Sequence, residues 1–164
     1  IILLLLFLTE PVFSQPGKYA GQQKYLIGKV YTDSREIKQL KTWQFREGSV
    51  VTPINDPETI IVDVFQKGTT WIAFFSIKED TAAASSFMIM DVVEVKNVMK
   101  DWQLRTTFCR SNKNENPEIV ALVKKSIVSE FIKPAKKAWR FNRDKRRFEI
   151  ISTVGIDCIN EALN

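Results

Sequence analysis

The chain has 164 residues, 45% apolar and 26% charged, with a net charge of +5. This composition fits one folded domain and excludes a disordered or low-complexity chain. Histidine is absent, which removes His-based triads, His general bases and His-ligated metal sites; with no GxSxG, GxGxxG or P-loop pattern, neither an enzyme nor a cofactor is expected.

The first eight residues, IILLLLFL, form an apolar run that stops at Thr9, Glu10 and Pro11. It is far shorter than the roughly 20 residues a bilayer span needs and has the character of a signal-peptide core. Val12 and Ser14 fit a small-x-small cleavage site, so a signal peptide is expected over 1–14 and a single mature domain over 15–164. The protein is then expected to be secreted, with no integral membrane segment in its mature form. In that setting the two cysteines, Cys109 and Cys158, most simply form a disulfide; two buried free thiols are the alternative.

Residues 15–33 suggest an entry segment with one strand, and 34–40 a short helical turn. Residues 42–46 alternate apolar and polar side chains, with a turn expected at Glu47 and Gly48. The runs TIIVDVF at 59–65 and TWIAFFSI at 70–77 flank Lys67 and Gly68 and predict a hairpin. FMIMDVVEV at 87–95 predicts a third strand, and WQLRTTF at 102–108 a fourth pairing after it.

The pattern then changes. Asn116 and Pro117 have the form of a helix N-cap and first turn. Ile119, Val120, Val123, Ile127 and Phe131 fall at helical spacing, so an amphipathic helix is expected to about Ile132. A second helical piece to about Trp139 and a late strand over 148–154 complete the order. Residues 133–148 hold eight basic side chains and one acid: Lys133, Lys136, Lys137, Arg140, Arg143, Lys145, Arg146 and Arg147 against Asp144. This is either a polyanion footprint or a solvated basic face.

The order of a β meander, a helix and a short strand with a cysteine resembles a divergent lipocalin, best over 87–158. Trp102 to Arg110 stands where that family's last barrel strand and its Arg lie. Asn116, Pro117 and Glu118 open the helix, and Ile150 to Ile159 is similar to the family's tail. Gly17, Lys18 and Tyr19 stand for its Gly-x-Trp element, and Glu79, Asp80 and Thr81 for its Thr-Asp-Tyr element. The resemblance implies a mostly β fold with one C-terminal α-helix, its antiparallel meander closing into a barrel. The alternative is an α+β, cystatin-like fold, with an antiparallel sheet packed on a helix.

In a barrel, alternate side chains point inward. Trp71, Ala73 and Phe75 would line the interior, with Met88, Met90 and Val92, and with Trp102, Leu104 and Phe108. Arg105 and Asp91 would stay outside. The function expected on that reading is a carrier of a small hydrophobic molecule (a lipid, steroid, pheromone or pigment), with no chemistry done on it. The same side chains would equally fill a solid core. The chain would then be a secreted interaction protein, inhibitor-like or polyanion-binding through 133–147.

Overall fold

The β-branched and aromatic runs in the middle of the chain form the longest strands. In this computed structural model, which describes residues 21–52, 56–79, 85–106, 108–160 and 163, they become β3 (Ile60–Lys67), β4 (Thr70–Glu79) and β5 (Ser86–Val95). β3 and β4 make the expected hairpin, from Lys67 opposite Thr70 to Ile60 opposite Ile77. β1 (Val30–Tyr31) and β2 (Gln44–Val50) complete a five-stranded antiparallel sheet of order β1-β5-β4-β3-β2. The turn expected at Glu47 and Gly48 is not made. β2 runs on through both residues, with a bulge between Phe45 and Glu47. The expected leader, 1–14, and the residues compared with the lipocalin Gly-x-Trp element lie outside the described residues.

The second sheet joins β6 (Trp102–Arg105), β9 (Ile119–Lys124), β11 (Ala135–Asn142) and β12 (Arg147–Ile151) in the order β12-β11-β9-β6. The strand expected to pair after β5 instead pairs with β9, Leu104 lying opposite Leu122. A third, small sheet of order β10-β13-β7-β8 uses β7 (Cys109–Ser111), β8 (Asn114–Glu115), β10 (Phe131–Ile132) and β13 (Ile156–Ile159).

The C-terminal helix is absent; its residues are β9, a loop and β10. The helical stripe was only part of the pattern, because Ile119 to Val123 is an unbroken apolar run. Ile119, Ala121 and Val123 face one core while Val120 and Leu122 face another. A strand buried on both faces reads as such a run. Asn116 does cap, but its Oδ1 accepts the Glu118 N–H at 3.0 Å to close a local turn. The second helical piece is likewise strand β11. The described helical content is α1 (Gln23–Leu26) and two 3-10 turns, Ser34–Glu36 and Lys38–Leu40, the latter two where the short helical turn was expected.

The layers stack through three cores. Val62, Val64, Ala73 and Phe75 of the first sheet meet Leu104, Val120, Leu122 and Phe141 of the second. The outer face of the first sheet is covered by the N-terminal segment, through Leu26, Tyr31, Ile37 and Leu40. The outer face of the second is covered by the third sheet, around Cys109, Ile132, Ile156 and Cys158. The backbone ladders form three separate open sheets, so no barrel closes among the described residues. Carboxylates bridge the two edges instead: Asp91 of β5 accepts the Phe148 N–H at 2.7 Å. At the other edge Glu47 of β2 accepts the Thr106 N–H at 2.5 Å and pairs with Arg105 at 3.1 Å.

Candidate functional site

The nine residues expected to line a barrel are divided by the fold. Trp71, Ala73, Phe75 and Leu104 lie between the two large sheets, with Met90 and Trp102 packed against them. Val92 is on the opposite face, in the core beneath the N-terminal segment. The cause is a bulge: Phe75 pairs with Asp91 but Ser76 with Ile89, so Met90 is an extra residue and strict alternation breaks. Met88 half-lines an open cleft at one end of the sheets. Phe108 is also misplaced, because β6 ends at Arg105 and the chain turns at Phe108 with φ +59°, leaving the ring 45% exposed.

The space between the sheets is occupied. The rings of Phe75 and Phe141 stack with centroids 4.6 Å apart, and Phe148 meets Phe75 edge-on at 5.0 Å. Both Phe75 and Phe141 are fully buried. The larger clefts lie elsewhere, at the rim. One of about 470 Å³ is bounded by Glu58, Ile77, Lys78, Glu79, Met88 and Arg146.

The expected disulfide is present: Cys109 and Cys158 are bonded and sit directly opposite each other on β7 and β13. Beside it Arg110 makes a two-point ion pair with Asp157, at 2.7 and 2.9 Å, and lies 3.5 Å from the Phe131 ring centroid. A second polar cluster lies under the N-terminal segment. The Tyr31 hydroxyl is 2.9 Å from Ser76 Oγ and 3.3 Å from Asp63 Oδ2. Burial pushes the Asp63 carboxyl up to about 6, and burial next to that carboxyl raises the Tyr31 hydroxyl far above its ordinary value. Among the described residues no group of three metal-ligating side chains gathers.

The basic segment separates into two environments. Arg143 pairs with Asp56 at 2.6 Å and Glu118 at 2.5 Å, Lys145 with Glu149 at 2.8 Å, and Arg146 with Glu58 at 3.1 Å. Arg147 reaches Glu149 only at 3.9 Å. With Asp144 in the same turn, five acids face these four basic side chains. The 143–147 part of the basic run is therefore neutralised in space. Arg140 is exposed in β11 opposite Glu149, and Lys133 is exposed between β10 and β11.

Lys136 and Lys137 lie at the other end of the sheets and gain neighbours that sequence order hides. With Lys96, Val98, Met99 and Trp102 they line a cleft of about 140 Å³. Lys136 Nζ sits 5.6 Å from the Trp102 ring centroid. Lys124 is opposite Trp102 across the β6–β9 pair, and the Lys125 N–H donates to the Asp101 carbonyl at 2.8 Å. Lys100 precedes that turn, and all six lysines are exposed. The acids nearby include Asp101, Glu94, the latter 3.5 Å from Lys96, and Glu47, which shares a second cleft with Lys125. Six lysines against three carboxylates, one of them already paired with Arg105, make this a positive end among the described residues. The basic run announced only Lys136 and Lys137 of it, because β5, β6, β9 and β11 each contribute a strand end. No family model, curated protein or solved structure matches the chain.

Proposed function

We propose that the protein is a secreted interaction protein with a filled interior, which binds a polyanion through its lysine-rich end and does no chemistry on it. The observation that carries this reading is the cleft of Lys96, Lys136 and Lys137 around Trp102. Exposed ammonium groups that outnumber the neighbouring carboxylates give a salt-dependent attraction for sulfates or phosphates. The ring supplies a flat apolar wall against which a sugar or acyl chain can lie. The Phe75–Phe141 stack supports the same reading, because it leaves no room for a ligand between the sheets at that level.

The test is retention on immobilised heparin in a salt gradient. Lys136→Gln with Lys137→Gln is expected to elute at clearly lower salt than the parent. Arg146→Gln with Arg147→Gln, whose charges already face Glu58 and Glu149, is expected to shift far less. Equal shifts for the two pairs would remove the lysine-rich end as the site.

A lipocalin-like carrier is the second reading, favoured by two antiparallel sheets around one apolar core and by the 470 Å³ cleft at its rim, where Ile77 and Met88 supply apolar wall. On that reading the carboxylate-bridged edges are the closures of a lipocalin-like barrel. Native mass spectrometry with a fatty-acid and steroid set separates the two readings. A stoichiometric complex lost in Met88→Glu would favour the carrier.

A further inference from the structure

The loop between β9 and β10 presents two adjacent aliphatic side chains to solvent, Ile127 at 84% and Val128 at 85% exposure. Neither contributes to a core, yet the backbone beneath them is firmly held. Ser126 Oγ accepts the N–H groups of Val128 and Ser129 at 3.3 and 3.1 Å. Asn160, only 3% exposed, donates from Nδ2 to the carbonyls of both Ser126 and Ser129 at 2.9 Å, and its own N–H donates to the Glu130 carbonyl at 2.8 Å. A buried amide spanning the two ends of a four-residue tip fixes its shape before any partner arrives.

The surroundings select the kind of partner. Phe108 and Leu163 are also exposed large apolar residues, and both attach to the segment that braces the loop. The Ile159 N–H donates to the Phe108 carbonyl, and the Leu163 N–H to the Asn160 carbonyl. Exposed Lys124 and Lys125 precede the tip and Lys133 follows it, with Glu130 the one acid in the segment between them. Lys124 and Lys125 also belong to the lysine-rich end described above. An aliphatic tip beside a group of lysines matches the cross-section of an anionic lipid surface, with acyl chains below and negative headgroups around.

We propose that the polyanion is an anionic phospholipid surface, into which Ile127 and Val128 insert while Lys124, Lys125 and Lys133 meet the headgroups. This rests on the reading of the lysine-rich end as a polyanion site, and it gives that site a depth component that a soluble polymer would lack.

The experiment uses the full chain in sedimentation with vesicles of phosphatidylcholine, with and without phosphatidylserine. The parent is expected to co-sediment only when phosphatidylserine is present. Ile127→Ser with Val128→Ser is expected to weaken that partition at least tenfold while leaving heparin retention unchanged. Both substitutions are at exposed positions, and an unchanged melting temperature verifies that the loop scaffold persists. An Ile127→Trp variant adds a depth readout: its extra emission, taken as a difference from the parent, should be quenched by lipids brominated on the acyl chain. Parent-like partition of the double variant, or no quenching, overturns insertion. Heparin retention without vesicle binding overturns the lipid surface but leaves the polyanion site standing; loss of both overturns the two readings together.

Discussion

The Asp91 carboxylate accepts the Phe148 N–H at 2.7 Å and so joins the edge of β5 to the edge of β12, where no backbone ladder runs. Its other oxygen accepts the Val92 N–H at 2.9 Å. Burial raises the Asp91 carboxyl, and these two N–H groups work against that rise. Asp91→Ala would leave both donors without their acceptor, at a cost of about 1–3 kcal/mol. Asp91→Asn keeps an oxygen for one of them and should cost less. Urea unfolding measures the loss, and amide exchange at Phe148 should accelerate in Asp91→Ala. Unchanged exchange there would mean the edge is held by packing alone.

The aromatic contact between the sheets makes a different demand. Phe141 is fully buried and stacked on Phe75, with Phe148 6.1 Å away in a T-shaped contact. Truncation to alanine opens a cavity that neighbours on two separate sheets cannot collapse to fill. Phe141→Ala should destabilise by about 3–5 kcal/mol, and Phe141→Leu by much less. A loss under about 1 kcal/mol for the alanine variant would mean the interior is loosely packed, which would revive the carrier.

Much of the first sheet was legible because β3, β4 and β5 carry β-branched and aromatic runs bounded by clear breaks. The disulfide was legible from two cysteines read together with the leader expected over 1–14. The second sheet was not, since Ile119 to Val123 is apolar at every position and fits a helical stripe as well as a strand buried on both faces. Asn116 and Pro117 tipped that reading the wrong way, because an Asx turn and a helix N-cap use the same oxygen and the same spacing. The bulge at Met90 moved Val92 to the other core, and alternation arguments have no means of seeing an extra residue. The lysine-rich end was hidden for another reason. Its charges come from four strand ends, and only Lys136 and Lys137 belong to the visible basic run, whose other end, 143–147, folds against Asp56, Glu58, Glu118 and Glu149.

The disulfide closes a sequence separation of 49 residues around β9, β11 and β12. In the chain-entropy model, removing a cross-link over a loop of that length costs about 4 kcal/mol. Replacing both Cys109 and Cys158 with Ser should therefore lower the melting temperature by many degrees. The third sheet should open first, since β7 and β13 are short and the bridge joins directly opposed residues. Amide exchange read at Ile156 and Ile159 tests the order: protection there should fall before protection in β4. Simultaneous loss would show that the third sheet is not a separate unit.

Asp63 gives the protein a pH dependence of unusual sign for a carboxylate. Its side chain lies under the N-terminal segment, within 3.3 Å of the Tyr31 hydroxyl, and burial lifts it from 3.8 to about 6. The folded state thus holds a proton that the unfolded chain has already released between those values. The favourable contribution is complete below about pH 4 and is lost as pH rises through about 6. A shift of roughly two units corresponds to about 3 kcal/mol, at 1.36 kcal/mol per unit. Asp33, partly exposed and held low by Arg35, acts in the opposite direction, so the measurement must be a difference. Unfolding free energies of the parent and of Asp63→Asn, taken at half-unit steps from pH 3.5 to 7.5, cancel the groups that do not interact with Asp63. The parent should lose stability relative to Asp63→Asn across pH 4–6 and the gap should level off above about pH 7. Parallel curves would show that Asp63 ionises normally and that water reaches it beneath the N-terminal segment.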